Sequence, residues 1–415
     1  MIQEMQWWDI ERIRAWQWDR IQSLLRFAFE HVPFYRRLFQ SLGATPDDFR
    51  CWEDFERLPI LSKEEIQEHW QALRAHSVLA VENHTGGSTG QPLHFYQDMN
   101  YKEWAALSRR WGAALCGFRG GEKQLFLWGS DYDSKAHESW RGRLRDWIRN
   151  VRWINAFDLS ALQLKQIAFE VAQWQPDFIW GYASTLELLA DQLRREGLEI
   201  HPKSVQSTAG TLYPSLRRKL EEVFGPVVFD RYGSREVSII AHECDAHQGL
   251  HVFCPHNYVE ILEEAKGWGQ VIVTNLHNRA FPFIRYDIGD LAVWADHPCS
   301  CGRGFPLIRR IIGRTVEVVR SPGGKLLDGE FFTHLFYRVK GVRQFQVVQE
   351  TPKQLVIKII PGEGYRSDVL AFLTTKILKY GDPAFEIRFE LVDRIPPLRS
   401  GKRAFVISKV SKGQP

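Results

Sequence analysis

The spacing of hydrophobic and polar positions divides this chain into stretches of different secondary structure. Residues 8–42 carry apolar side chains at three- and four-residue intervals, which predicts amphipathic helix with a break at Pro33; the stripe is Ile13, Trp16, Ile21, Leu24, Leu25 and Phe29. Between residues 101 and about 310, short apolar runs alternate with helical patterns; the runs cover residues 124–128, 178–180, 204–207 and 227–230. This alternation predicts an α/β fold with buried, largely parallel strands.

The pattern changes twice toward the C-terminus. Between residues 251 and 295, strand-like runs follow one another closely, which predicts a smaller β-rich subdomain. Beyond Gly313, a strand, a turn, a hairpin, a helix and a further strand predict a compact α+β unit. Because 415 residues exceed one core of ordinary size, we expect two domains. A large α/β domain with mixed sheets would cover residues 1–313, and a small mobile α+β domain would cover residues 314–415.

Composition and charge argue against several classes of protein. The net charge of +4 is small for this length and gives no reason to expect nucleic-acid binding. No apolar run reaches membrane-spanning length, and the first residues lack the basic and apolar pattern of a signal peptide. We therefore expect a cytoplasmic protein that has neither nucleic acid nor a membrane as its partner.

A glycine-rich segment between two strand-like runs, 78–81 and 93–96, is the first candidate site. It reads His84-Thr85-Gly86-Gly87-Ser88-Thr89-Gly90-Gln91-Pro92. Glycines let the backbone approach a ligand, and exposed N–H groups with hydroxyls form a concave set of donors for phosphate oxygens. The segment lacks the Gly-Lys-Ser/Thr ending of a P-loop and the spacing of a dinucleotide fold. Alone it is as well explained by a plain hairpin loop.

Three later segments add groups that nucleotide chemistry needs. Asp230-Arg231-Tyr232-Gly233-Ser234-Arg235-Glu236 places an aromatic ring beside a glycine and then a carboxylate suited to Mg²⁺. Asp287-Ile288-Gly289-Asp290 places a carboxylate where it can accept from both hydroxyls of a ribose. Arg399-Ser400-Gly401-Lys402 presents a mobile positive charge near the C-terminus. Taken one at a time, each is equally compatible with a solvated turn.

Four of the six cysteines lie late in the chain and indicate a metal site. Cys244 has histidines close behind it, and a tight Cys299-Ser300-Cys301-Gly302 turn follows downstream. Three thiols and one imidazole make a closed tetrahedral set for structural Zn²⁺. We take His251 as the fourth ligand and keep His247 as its rival. The alternative is a set of buried free cysteines.

Together, and in this order, the glycine-rich segment and the three later ones resemble the adenylate-forming superfamily of acyl-CoA synthetases. Within it, they look most like the phenylacetate–CoA ligase family and its capsular-polysaccharide-associated relatives. The resemblance extends from Leu58-Pro59-Ile60-Leu61-Ser62-Lys63 to Lys402. It implies an adenylation domain followed by a small lid domain that carries the catalytic lysine.

The resemblance also implies a role for each matching residue. Thr85, Gly86, Gly87, Ser88, Thr89 and Gly90 would hold the ATP phosphates. Tyr232 and Gly233 would line the adenine and acyl pocket, Glu236 would act in catalysis through Mg²⁺, and Asp290 would hold the ribose. Arg314 would contact the nucleotide near the hinge, and Lys402 would serve adenylation. Further candidates for the wall of the acid pocket are Trp180, Tyr182, Gly210 and Thr211.

The implied reaction is ATP-dependent activation of a carboxylic acid, of aryl or arylacetic type, through an acyl-adenylate and then transfer to coenzyme A. The expected cofactors are ATP, Mg²⁺, coenzyme A and structural Zn²⁺, and the chain is compatible with a homodimer. Transfer to an amine or to a carrier protein remains an alternative. So does a nucleotide-binding protein with reduced turnover, because Gln91 and Val316 stand where the family usually has a lysine and an acidic hinge residue.

Overall fold

The computed structural model describes residues 2–85, 93–128, 139–155, 161–265, 267–314, 317–327, 329–336, 339–396 and 404–410. The chain divides into two compact units. The first consists of residues 1–123, 203–209 and 229–311, and the second consists of residues 124–202, 210–228 and 312–415. None of the described helices has the length and hydropathy needed to cross a bilayer.

The helices of the first unit begin and end where local signals place them. They are α1 (Ile2–Met5), α2 (Ile10–His31), α3 (Pro33–Ser41), α4 (Trp52–Phe55), α5 (Lys63–His69) and α6 (Met99–Leu115), with a short 3₁₀ turn at Pro46–Asp48. Asp9 caps α2 by accepting from the backbone N–H of Arg12 at 2.7 Å. The predicted break at Pro33 is confirmed, because the long helical stretch is two helices that meet there.

The strands of the first unit form a hairpin and a large array. The hairpin is β1 (Ala80–His84) with β2 (His94–Asp98). The array runs in the order β10, β11, β12, β13, β9, β8, β7, β6. Its strands are β6 (Ser204–Thr208), β7 (Val228–Ser234), β8 (Ser238–Glu243), β9 (Leu250–Val252), β10 (Asn257–Ala265), β11 (Trp268–Asn275), β12 (Tyr286–Trp294) and β13 (Leu307–Arg314).

The strand directions only partly follow the sequence prediction. Short turns join β7 to β8 and β10 to β11, so these pairs are antiparallel. The largely parallel arrangement predicted for residues 101–310 is therefore wrong for this part of the sheet, whereas the β-rich subdomain predicted for residues 251–295 is confirmed. Parallel pairing occurs in the second unit, where β3 (Gln124–Trp128) lies between β4 (Val151–Asn155) and β5 (Phe178–Tyr182).

The second unit covers its parallel strands with helices and also contains the C-terminal segment. Its helices in this first part are α7 (Trp140–Ile148), α8 (Ala161–Trp174), α9 (Ala183–Glu196) and α10 (Pro214–Phe224). The C-terminal elements are β14 (Val319–Arg320), β15 (Leu326–Leu327), α11 (Gly329–Phe336), β16 (Val342–Gln349), β17 (Gln354–Pro361), α12 (Asp368–Tyr380), β18 (Glu386–Leu391) and β19 (Val406–Ser408). The last four strands form a sheet in the order β18, β17, β16, β19.

The C-terminal segment has a hydrophobic core of its own. Its buried members run from Val319 to Val406 and include Ile357, Leu373 and Ile377. The α+β pattern predicted beyond Gly313 is confirmed by the helices and strands in this segment. The predicted domain boundary at residue 313 stays a prediction, because the second compact unit also includes residues 124–202 and 210–228.

Two buried histidine rings stack in line with Trp104 of α6 in the first unit. The rings of Trp104 and His277 are 4.1 Å apart and nearly parallel, and His256 stacks on His277 at 5.7 Å. Burial lowers the pKa of His277 to about 4 and lowers the pKa of His256 well below its ordinary range. Both imidazoles are therefore neutral in the folded protein at pH values where the unfolded chain would protonate them.

This stack predicts a loss of stability in mild acid. A histidine whose folded pKa is depressed contributes fully above its unfolded value near 6.5, and that contribution is lost as the pH falls toward 4. For His277 alone the difference is about 2 kcal/mol at pH 5. Thermal unfolding should show a melting temperature that falls below about pH 6.5.

The variant His277→Gln should flatten that decline, whereas His31→Gln, at an exposed site, should leave it unchanged. A decline of the same slope in His277→Gln and in the parent protein would contradict this assignment.

Candidate functional site

The carboxylate predicted to bind Mg²⁺ lies in the turn between β7 and β8. Glu236 is buried, and the Tyr286 hydroxyl donates to its Oε1 at 3.4 Å. Burial and the Glu236 charge raise the pKa of Tyr286 well above its ordinary value, so the phenol stays protonated and can donate. The turn is held from outside by Gln97, whose amide donates to the Arg235 carbonyl at 2.9 Å.

Two residues predicted to contact the nucleoside lie in direct contact. The Tyr232 hydroxyl donates to Asp290 Oδ2 at 2.7 Å, although 58 positions separate them in the chain. Tyr232 is buried and Asp290 is half-buried. Gly289 precedes Asp290 with φ +83°, a conformation that suits glycine. This hydrogen bond fixes the orientation of the Asp290 carboxylate.

Gly233 has a structural reason to be glycine. A Cβ at this position would lie 2.4 Å from the Ser238 carbonyl oxygen on the neighbouring strand. The register shifts between Tyr232 and Gly233, where β7 passes closest to β8. The glycine therefore allows the hairpin that places Tyr232 and Glu236, whatever it also contacts in the pocket.

The glycine-rich segment connects β1 and β2, each of which lies slightly later in the chain than predicted. At its start, the Thr85 backbone donates to the Leu93 carbonyl at 3.0 Å, and the Leu93 N–H donates to Thr85 Oγ1 at 2.9 Å. These two bonds close the base of the connection. Gly86, Gly87, Ser88, Thr89 and Gly90 lie outside the described residues.

The other predicted site residues belong to the second unit. Trp180 and Tyr182 lie on β5 and are buried. They share one face of the parallel strands with Phe126 and Trp128. The Phe126 ring stacks on Trp180 with centroids 5.6 Å apart, and the Trp128 ring is tilted against Tyr182 at 5.0 Å. This group of aromatic rings could form one wall of a pocket for an aryl acid.

Two further predicted pocket residues are Gly210 and Thr211, and Thr211 lies near Gly313 at the predicted hinge. A Cβ on Gly210 would meet the Ala183 Cβ at 3.3 Å, and Thr211 Oγ1 lies 3.6 Å from where a Cβ on Gly313 would be. Gly313 has φ +134°, and Arg314 follows it as the last residue of β13. The structure therefore places Thr211 beside the predicted hinge. Lys402 lies outside the described residues.

The predicted metal ligands come together at the far end of β8. One ligand atom from each of Cys244, His251, Cys299 and Cys301 lies within 4.8 Å of the others. The sulfurs of Cys244 and Cys299 are 3.7 Å apart, and Cys301 Sγ lies 3.3 Å from His251 Nε2. His251 Nδ1 donates to the Phe305 carbonyl at 3.2 Å, which leaves Nε2 as the lone-pair nitrogen that a metal needs.

His247 is placed elsewhere. Its Nδ1 lies 3.3 Å from a carboxylate oxygen of Glu243, and its ring packs on Phe229 at 4.8 Å. Among the described residues, the group that could hold a metal contains His251 and not His247. The structure thus favours the first choice over its rival.

The sequence analysis missed Arg285, the residue that holds the Glu236 and Asp290 region in place. Arg285 pairs with Glu260 at 2.8 Å, both are buried, and its guanidinium also donates to the carbonyls of Glu56 and Leu58. Just beyond, Leu61 forms a parallel bridge with Tyr286, the partner of Glu236. Leu61, in the Leu58–Lys63 motif, therefore lies beside the first residue of β12. A buried charge pair cannot be read from local spacing.

Comparisons with known proteins agree with this arrangement. A family model described as the CapK C-terminal domain matches residues 319–409. The phenylacetate-coenzyme A ligase of Pseudomonas putida is 26% identical over 430 residues, covering 99% of this chain and 89% of that protein. Protein CapK of Staphylococcus aureus is 22% identical over 402 residues, covering 94% and 88%.

The chain is therefore similar, over most of its length, to phenylacetate–CoA ligases and to CapK.

A solved structure shares the fold of this chain. A crystal structure of 2-hydroxyisobutyryl-CoA ligase in the postadenylation state matches with a TM-score of 0.76 and 20% identity, covering 98% of this chain and 91% of that one. The CapK C-terminal match spans the segment with its own core, Val319 to Val406. Lys402 falls within the matched residues.

The buried pair predicts a large effect of removing the arginine. Arg285→Met should lower the free energy of unfolding by about 3–5 kcal/mol, because Glu260 would be left as an uncompensated buried charge. Denaturant unfolding followed by tryptophan fluorescence measures this. Arg57→Met is the matched control, since that side chain is 79% exposed and should cost less than about 1 kcal/mol. A loss below about 1 kcal/mol for Arg285→Met would contradict the role assigned to the pair.

Proposed function

We propose that this chain is an AMP-forming acid–CoA ligase. The observation that carries the proposal is the hydrogen bond from Tyr232 to Asp290 beside the buried Glu236, in a chain similar to these ligases. Relatives support it: several curated ones are phenylacetate-coenzyme A ligases, and the solved 2-hydroxyisobutyryl-CoA ligase was captured with an acyl-AMP and, in another state, with coenzyme A.

The reaction has two displacements. In the first, a carboxylate oxygen of the acid attacks the α-phosphorus of ATP, the bond to the bridging oxygen breaks, and pyrophosphate leaves. In the second, the sulfur of coenzyme A attacks the acyl carbon, and AMP leaves as the thioester forms. Both steps build negative charge on oxygens, so fixed donors and cations lower their barriers.

Each site residue has a part in that scheme. Asp290, oriented by Tyr232, would accept from the ribose hydroxyls. Glu236 would supply an oxygen ligand to Mg²⁺, a cation that usually takes one or two protein carboxylates together with substrate phosphates. The Thr85–Gly90 segment would hold the phosphates, Arg314 would contact the nucleotide, and Lys402 would approach the α-phosphate. Use of ATP and coenzyme A supports a cytoplasmic location.

The test of this proposal is adenylation without Lys402. Lys402→Ala should lower acid-dependent pyrophosphate release by about 100-fold or more, because a charge that stabilises the transition state is lost. ATP affinity should change little. Lys409→Ala is the matched control, since Lys409 follows seven positions later in the sequence and pairs with Glu350 at 2.6 Å. Pyrophosphate release that is unchanged in Lys402→Ala would overturn the assignment.

Asp290→Ala separates binding from catalysis in the same assay. Loss of hydrogen bonds from ribose to a carboxylate should weaken ATP binding by about 1.5–3 kcal/mol, measured by calorimetry. Asp296→Ala, at an exposed carboxylate on the same unit, should leave ATP binding unchanged. Normal ATP affinity in Asp290→Ala would remove this residue from the site.

We also propose that Cys244, His251, Cys299 and Cys301 bind one structural Zn²⁺. Burial raises the pKa of the Cys244 thiol to about 12, so a cation is needed to hold this group as thiolate in the folded protein. The buried, closed set of four ligands leaves no position for a substrate. The expected effect of the metal is therefore on stability.

Metal analysis by plasma mass spectrometry should find about one zinc per chain. Chelation should lower the melting temperature, and zinc should be lost progressively as the pH falls, because protons compete for the thiolates. His251→Ala should lose zinc, whereas His247→Ala should keep it. Zinc stoichiometry near zero in protein purified without chelator would rule the site out.

A further inference from the structure

The face of the first unit's sheet that packs under α6 carries polar groups that the scheme above does not use. Arg231 on β7 lies opposite His242 on β8 in the register of the two strands. Helix α6 passes close to them, since a Cβ on Gly112 would lie 2.7 Å from the His242 ring. Cys116, the residue immediately after α6, has its sulfur 3.9 Å from His242 Nε2.

A second arginine, Arg109 on α6, acts electrostatically on Arg231 across this contact. Arg109 precedes Gly112 by three positions and Cys116 by seven, so all three lie on one side of α6. Burial, together with the charge of Arg109, lowers the pKa of Arg231 to about 10. Arg231 is nevertheless part-exposed, and Arg109 is exposed. We refer to the region bounded by Arg109, Arg231, His242 and Cys116 as the recess.

Neither arginine has a counter-charge among the residues that the structure describes. The acid next to His242 on the same strand, Glu243, is already engaged. Its Oε2 accepts from the Asp230 backbone at 2.8 Å, and its Oε1 lies 3.3 Å from His247. Two like charges beside each other are unfavourable unless an anion joins them.

The same recess holds buried polar atoms without hydrogen-bond partners in the described part of the chain. These are Nε of Arg231, Oγ of Ser204 and Oε1 of Gln206. Ser204 and Gln206 alternate along β6 and so point to one face of it, and the Gln206 amide donates to Cys116 Sγ at 3.0 Å. Such atoms are rare in native proteins, so each needs an explanation, such as a ligand or a water.

The recess lies close to the proposed chemistry. Arg231 immediately precedes Tyr232, and strand alternation points the two side chains to opposite faces, so Arg231 does not share the ribose side. The charge of Arg109 acts on Tyr101, whose hydroxyl donates to the Arg235 carbonyl at 3.4 Å. The charge of Glu236 also acts on Tyr101. The two arginines thus lie on the other side of the same turn from the nucleoside residues.

We propose that Arg109 and Arg231 form a subsite for a second oxyanion on the acid substrate, so that this ligase selects acids carrying a further carboxylate or phosphate group. The proposal rests on the acid–CoA ligase function and narrows its substrate class. A guanidinium offers paired N–H donors that match the two oxygens of such a group. An acid with a single carboxylate would leave both cations in the recess unpaired.

The test compares acids that differ only in the second group. Pyrophosphate release is measured with phenylacetate against 4-carboxyphenylacetate, with butyrate against glutarate, and with 4-hydroxybenzoate against its phosphate ester. At least one dianionic acid should exceed its partner by about tenfold or more in kcat/KM. Arg231→Gln and Arg109→Gln should each reduce that ratio toward one, and Arg231→Lys should reduce it in part. Arg110→Gln, at the exposed neighbouring arginine of α6, should keep it.

Direct binding separates this proposal from the function on which it rests. If no acid releases pyrophosphate, the ligase function fails, and calorimetry with the same acid pairs still tests the subsite. Tighter binding of a dianionic acid that is lost in Arg231→Gln supports it, and the carboxylate and phosphate pairs show which group is preferred. Equal behaviour of both members in every pair overturns it. So does a loss of ATP affinity in Arg231→Gln with an unchanged acid ratio, since the arginines would then serve the nucleotide phosphates.

Discussion

The buried ion pair between Arg285 and Glu260 is the constraint on which the site depends. Two charges removed from water are tolerated only when every polar atom is paired. Here the guanidinium meets both carboxylate oxygens and two backbone carbonyls. These bonds tie β10 and residues 56–61 to the start of β12. Because β12 carries Tyr286 and Asp290, the same bonds set where Glu236 and Tyr232 find their partners.

One short strand connects the proposed chemistry to the proposed zinc site. Strand β8, Ser238–Glu243, begins two residues after Glu236 and ends immediately before Cys244. Six extended residues span about 20 Å. A metal at Cys244 would therefore stabilise the distal end of the hairpin without approaching the nucleotide. Close packing at the near end depends on Gly233, where any side chain would collide with Ser238.

Unpaired charge distinguishes the two sides of the β7–β8 turn. On the nucleoside side, Asp290 and Glu236 are each held by a tyrosine hydroxyl. On the α6 side, Arg109 and Arg231 have no acidic partner among the described residues. In the same unit, by contrast, Arg285 is fully paired with an acid, Glu260. Two unpaired cations close together lower the stability of the folded protein. Binding of an anionic substrate would offset that loss.

Much of the local structure and the order of the motifs could be predicted from the sequence. The helix break at Pro33, the β-rich stretch and the C-terminal α+β pattern follow from side-chain period and from the backbone limits of proline. The family resemblance depended on the order of short segments along the chain. That order can be seen in the sequence without knowing how the segments pack. The thiol spacing in Cys299-Ser300-Cys301 likewise indicated a metal site before any contact was known.

Only the tertiary structure decided how these pieces meet. His247 lies three positions from Cys244 and His251 seven, and both spacings suit a metal site. The choice between them comes from the pairing of His251 with Leu307 on β13. The tertiary structure likewise decided the antiparallel strand directions, the Arg285–Glu260 pair and the placement of the two unpaired arginines. Each depends on strand register and on contacts between residues far apart in sequence. Local periodicity reports which face of an element is buried, but not which partner it is buried against.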